Sequence, residues 1–535
     1  MKGTIKFLFL FCVLFGAQVA FAAPIVPGSF STTWQTDNAG LTGNNQIRFG
    51  LGDGNDGVSC SGSLYWEEVG NASNNGSSTL DSNCNYEIIT FPSPGTYRVD
   101  VLGTHPSFRL NYSLSGLSDA DKLLTVEQWG DNVWAGLAYS FRVATNMTIN
   151  ASDVPDLSVA TDMTGMFGGA TSFNQNINNW DVSNITDMNG LFSGATAFNQ
   201  PLNSWDVSNV TNMRSTFAFT DAFNQDIGAW DVSNVTNMQE MFRDTAAFNQ
   251  PLDGWNVASV TNMTRMFWGA TAFNQPLNSW DVSNVSLFGG VAPYPEGMFS
   301  DATAFNQSLS NWNITSASNL RNFFSGATSF NQDISSWDVS NVSDFREMFF
   351  GATAFDQDLG GWQIQDAALL TNVLRDSGLT PQNYADTLIA WSALSPAATS
   401  IDLGIISTTY CDTAEAARTI LTDTYGWSIT DLGPEVCVPA EEPTPEVTPP
   451  AANGGTGTKV GLRQKRLDDL KAAMSSSTAP VSEKLTNFVT SLKKFLSYLT
   501  THEEEIKNLS PEDSKAVITV LRDAILELLK WLPGV

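Results

Sequence analysis

The chain has 535 residues and a net charge of −29, with 26 Lys+Arg against 55 Asp+Glu. From Lys459 onward it carries 12 Lys+Arg and 10 Asp+Glu, so residues 1–458 carry 14 and 45 and hold nearly all of the acidity. So acidic a surface repels phosphate and excludes nucleic acid as the expected partner, while the length leaves room for three or four modules.

Residues 1–22 place Lys2 and Lys6 before an apolar run over 7–15 and then Ala20-Phe21-Ala22. This basic, apolar and small-residue order predicts a secretory signal peptide. No later stretch reaches about 18 apolar residues, so no transmembrane span is expected in the mature chain. Residues 23–120 alternate short β-type runs (46–49, 86–91, 97–101) with Gly, Ser and Asn clusters, which predicts a β-sandwich-like domain. Residues 121–167 are expected to cap the repeats that follow.

Over residues 168–375 the pattern Phe-Asn-Gln-x-[Leu/Ile]-x-x-Trp-Asp-Val-Ser-Asn-Val-Thr-x-Met-x-x-Met-Phe-x-x-Ala recurs. Its tryptophans are Trp180, Trp205, Trp230, Trp255, Trp280, Trp312, Trp337 and Trp362, spaced by 25 except for one step of 32. A single repeat cannot cover both of its apolar faces, so the pattern predicts a linear stack. Trp205 and Val207 alternate with Asp206 and Ser208, as in a short strand. Met213 and Phe217 lie four apart, as on a short helix. The expected fold is an α/β solenoid, leucine-rich-repeat-like, with one strand and one short helix per 25-residue repeat, an N-terminal β-sandwich and a C-terminal α-helical bundle.

The Trp-Asp-Val-Ser-Asn-Val-Thr-x-Met core, the Phe-Asn-Gln turn and the lead-in Val126-Glu127-Gln128-Trp129-Gly130-Asp131 resemble the BspA-like bacterial surface proteins, over about residues 95 to 435. The resemblance implies a secreted or surface-displayed protein acting in attachment. It brings no catalytic residues.

The repeated polar residues read first as structure. Asn199, Gln200 and their equivalents are expected to hydrogen-bond from turn to turn, with Asp356 replacing Asn in the last copy. Asp181, Asp206, Asp231, Asp281 and Asp338 form a row that either accepts backbone N–H bonds or holds calcium between like charges; Asn256, Asn313 and Gln363 interrupt it. The Asn-Val-Thr triplets match glycosylation acceptors as a by-product of the repeat. Methionines 163, 188, 213, 238 and 263 sit at core spacing.

The 32-residue step reflects seven extra residues between Val285 and Met298. Insertions of this kind map to one face, often the binding face. Phe288, Pro293, Tyr294 and Glu296 are the candidate ligand contacts, and Arg214, Glu240 and Arg265 are variable outward positions.

Residues 376–438 read as a C-terminal cap with a helix opening at Thr380-Pro381. Cys60 with Cys84 and Cys411 with Cys437 are locally paired and predict two disulfides. Residues 439–458 are a flexible linker, and 459–535 carry amphipathic helices that form a bundle or associate with a partner or another copy. The sequence thus predicts a non-catalytic adhesive protein with an extracellular protein or glycan as partner and no cofactor. The alternatives are a self-associating scaffold or a carbohydrate-active enzyme using the aspartate row.

Overall fold

The computed structural model describes residues 25–52, 59–83, 86–110, 118–291, 293–366, 368–394 and 398–437. The signal peptide, Cys84, the linker and the helices expected over 459–535 lie outside the described residues, so no C-terminal bundle is seen.

Eight strands build the N-terminal part: β1 (Phe30–Gln35), β2 (Gln46–Gly50), β3 (Ser61–Glu68), β4 (Asn71–Thr79), β5 (Tyr86–Thr90), β6 (Thr96–Thr104), β7 (Leu123–Gln128) and β8 (Thr148–Ile149). Six form one sheet in the order β4-β3-β6-β1-β7-β8, and β2 pairs with β5 in a second. Trp34 of β1 stacks on Phe49 of β2 at 5.9 Å, so the two sheets share a core. The larger sheet does not stop at residue 120, because β7 pairs antiparallel with β1 and parallel with β8. Charges inside this part are compensated, as burial requires. Arg98 lies 3.1 Å from Asp100 and 3.5 Å from Glu67. Lys122 pairs with Asp119 at 3.5 Å and donates to the Thr42, Gly43 and Gln46 carbonyls.

The repeats do not form the expected α/β solenoid: among their described residues there is neither a helix nor a continuous strand. One-residue parallel bridges join Asp162, Asp187, Asn212, Asn237, Asn262, Leu287, Asn319, Asp344 and Leu369 in turn. The helix at Met213 and Phe217 fails for a backbone reason. Ser215 and Phe219 adopt left-handed φ of 53° and 58°, and Glu240 and Asp244 repeat this one turn on, which interrupts the α ladder twice within five residues. Alternate amides then face different partners. The N–H groups of Met213, Ser215, Phe217 and Phe219 donate to the Asn237, Gln239, Met241 and Arg243 carbonyls of the next turn at 2.7–3.0 Å, whereas those of Thr216, Ala218 and Thr220 close local turns. All these backbone donors are satisfied without helix or sheet.

The Trp205–Val207 segment keeps the burial alternation of a strand but lacks its ladder. Side chains join the turns there instead. Trp205 Nε1 donates to the Ile177 carbonyl at 3.0 Å, and the tryptophans from Trp230 to Trp362 repeat the bond. Asn209 Nδ2 donates to Ser183 O at 2.7 Å. Between these layers two phenylalanine columns stack, with Phe217 4.1 Å from Phe223 and 5.8 Å from Phe242.

The C-terminal cap reproduces the next turn with different elements. Helix α1 (Pro381–Ser392) is capped by Thr380. Its Trp391 indole donates to the Leu359 carbonyl at 3.2 Å, taking the place of a further repeat tryptophan. Strand β9 (Asp402–Ile405) receives the Asn372 amide at the Leu403 carbonyl. A Cys411–Cys437 disulfide, with Cα atoms 5.1 Å apart, closes the cap.

Asp356 departs from the repeat because of what it meets. Thr380 N, Thr380 Oγ1 and Asn383 Nδ2 converge on its Oδ1 at 2.8–2.9 Å, and a carboxylate accepts several donors well. Asp356→Ala is expected to cost about 1–3 kcal/mol and to speed amide exchange across α1. Unchanged exchange in the variant would show that the cap docks without Asp356.

Candidate functional site

The regular polar residues are consumed by the stack. Asn199 N and Gln200 Nε2 both donate to Asn174 Oδ1 at 3.0 Å, and this ladder continues to Asp356. Asp206 Oδ1 accepts the Ser208 N–H at 3.0 Å, as Asp181, Asp231, Asp281 and Asp338 do from their own serines. Hydrogen bonds from those serines hold the carboxyls of Asp181, Asp231, Asp281 and Asp338 below the ordinary carboxylate range. Asn256 and Asn313 take the same bond, so the slot needs an acceptor rather than a charge. Among the described residues no three His, Cys, Asp or Glu side chains converge as a metal site would require.

The insertion separates the four candidate contacts. Phe288 is not a surface residue. It fills the methionine slot of its turn, fully buried, 5.9 Å from Trp312 and 5.5 Å from Phe323; the repeat register persists through Leu287, which bridges Asn262 and Asn319, to Phe288. Beyond it the chain leaves the core and returns. Gly290 permits the return, since a Cβ there would lie 2.3 Å from the Pro295 carbonyl carbon. Tyr294 N donates to Val291 O at 3.0 Å, and this turn holds Val291, Pro293 and Tyr294 at the surface, with Tyr294 58% exposed. Glu296 is half-buried, and its Oε2 accepts no hydrogen bond among the described residues.

Tyr294 is brought onto the variable face of the stack. The Arg265 guanidinium lies 5.8 Å from its ring and pairs with Glu240 at 2.8 Å, and Ser215 donates to the other Glu240 oxygen at 3.0 Å. Beside this chain, Arg243 is held between the Trp268 ring at 3.9 Å and the Phe219 ring at 4.6 Å. Trp268 Nε1 reaches Asp301 at 3.3 Å. Arg214 makes no side-chain hydrogen bond or ion pair to another described residue and acts on Arg265 as a like charge. Phe219, Arg243 and Trp268 were not singled out from the sequence, although the signal was present: the two positions between Phe and Ala of the repeat are mostly small, and these residues are bulky departures there.

The molecule is therefore a tandem-repeat protein in which the residues that break the repeat gather on one face. Residues 135–227, 203–291 and 295–386 each match the family model described as Mycoplasma protein of unknown function, DUF285. No curated protein and no solved structure matches the chain. Among the described residues no helix is long and apolar enough to cross a membrane.

Proposed function

We propose that this is an exported, surface-associated, non-catalytic protein that binds an extracellular protein or glycan, as the BspA-like resemblance implies. The observation that carries the reading is the arginine–aromatic patch of Phe219, Arg243, Arg265, Trp268 and Tyr294. Arg, Trp and Tyr supply most of the energy in recognition surfaces, and those of the patch stand at positions that depart from the repeat consensus. The bonding of the repeat aspartates to their own backbone supports a non-catalytic role. The basic and apolar start of the chain and the Cys411–Cys437 disulfide fit export to an oxidising compartment.

The full chain on an array of matrix proteins and glycans tests this. Tyr294→Ser combined with Arg243→Gln is expected to weaken the captured ligand about tenfold or more with an unchanged circular dichroism spectrum. Undiminished binding by the double variant would remove the patch from the function. Hydrolysis of an arrayed glycan, abolished by one Asp→Asn substitution, would replace binding with catalysis.

A further inference from the structure

At the N-terminal end of the same face the repeats carry glycine where later ones carry Arg, Trp and Phe. Gly165 and Gly190 occupy the slot of Ser215, Glu240 and Arg265. A left-handed backbone is not the reason, because those three residues hold φ of 53–59° in that slot. What the glycines provide is room. The missing side chains leave a cavity of about 360 Å³, within the size range of small-molecule sites.

Its N-terminal wall is Tyr139 and Arg142, with the guanidinium 5.6 Å from the phenol ring. Tyr139 is seated over Gly165, where a Cβ would come within 2.8 Å of the ring, so the glycine also sets the position of this aromatic wall. Thr164, Asn189 and Ser193 supply the polar remainder. No side-chain hydrogen bond or ion pair to another described residue engages any of these five polar groups. Arg243, Arg265, Arg346, Arg375 and Arg418, by contrast, each have a carboxylate partner. Among the described residues, Arg142 is also the one charged residue lining the cavity, in a chain with a net charge of −29.

We propose that this cavity is a subsite for an acidic sugar, a hexuronate unit of a glycan; the proposal rests on the glycan branch of the binding function above. A guanidinium presents a planar fork to a carboxylate. The phenol ring takes the apolar face of a pyranose, and the hydroxyls and amide take its hydroxyl groups. A bare carboxylate uses only the arginine, and a neutral hexose only the remainder; a hexuronate uses both.

The test is titration of the full chain with D-glucuronate, D-glucose, acetate and glycylglycine, followed by calorimetry and saturation-transfer NMR. Glucuronate is expected to bind about tenfold or more tighter than the other three. Arg142→Gln should erase its advantage over glucose. Gly190→Asn, a residue suited to the left-handed region whose Cβ would meet only Ser193 Cβ at 3.8 Å, should fill the cavity and abolish binding with the fold intact. Equal affinity for glucose and glucuronate, or unchanged glucuronate binding by Arg142→Gln, would overturn the subsite. Tighter binding of glycylglycine than of glucuronate would also overturn it and assign the cavity to peptide carboxylates. Array capture that persists in the wild type without glucuronate binding would refute the subsite alone and leave the patch reading standing.

Discussion

Replacing Phe242 with alanine is expected to remove about 4 kcal/mol of stability and to divide unfolding into two steps. Its ring lies 4.2 Å from Phe248, 5.5 Å from Phe267, 5.8 Å from Phe217 and 6.3 Å from Trp255, so truncation opens a void among four aromatic rings. The void cannot close easily. Phe242 N is tied to Met266 O at 2.9 Å and Met241 O receives Phe217 N at 3.0 Å, which fixes the backbone between both neighbouring turns. Because each turn contacts only the turns beside it, one weakened interface uncouples the two halves. Urea denaturation followed by tryptophan fluorescence reads both effects. Phe242→Leu, which leaves a smaller void, should lose roughly half as much. A single transition shifted by less than about 1 kcal/mol in Phe242→Ala would mean that the stack repacks around the gap.

The second large effect is acid destabilisation through His105. This residue is fully buried between the Trp134 ring at 5.0 Å and the Phe30 ring at 6.2 Å, and neither ring nitrogen has a partner among the described residues. Its backbone is held by Asn132, which accepts from His105 N and donates to His105 O. No charged side chain contributes; burial alone lowers its pKa from 6.5 to about 4. The unfolded chain therefore takes up a proton below pH 6.5 and the folded chain only near pH 4. Stability from this group is complete above pH 6.5 and falls through that window by about 3 kcal/mol in all. Asp181, Asp231, Asp281 and Asp338, whose carboxyls are held low by their serines, lose their contribution only at lower pH. Asp100, whose carboxyl is raised by burial, acts in the opposite direction in wild type and variant alike. His105→Phe keeps a ring in the core and should flatten the decline measured by denaturation at neutral pH and near pH 4. Parallel declines in the two proteins would exonerate His105.

The period of the repeats and their core were legible because both rest on side-chain chemistry that recurs in every copy. Trp205, Val207, Met213, Phe217 and Phe223 are all buried. The secondary structure was not legible, because spacing reports burial and not backbone hydrogen bonding. Met213 and Phe217 lie four apart in a segment whose Ser215 and Phe219 are left-handed, and nothing in a serine or a phenylalanine announces that conformation. Trp205 and Val207 alternate like a strand while their neighbours' side chains take over the ladder. At the candidate site the departure at Tyr294 was visible as an insertion, and Glu240 and Arg265 as variable positions. Their meeting with one another, and Arg243 lying between two aromatic rings, depend on which turns the stack sets side by side.

The alternating amides carry a consequence for how such a gene can change. Each regular turn donates four backbone bonds to the next and receives four of the same kind from the one before. An in-frame duplication or loss of one repeat unit then restores the same contacts at the new junction, while the N-terminal sheet and the Asp356–α1 cap keep their partners. Recombination between copies that share this bonding pattern can therefore lengthen or shorten the protein at little cost to folding. Such events also move the Arg142 cavity and the Tyr294 loop apart or together by whole turns, and a lineage could tune the span between two contact points without altering either one.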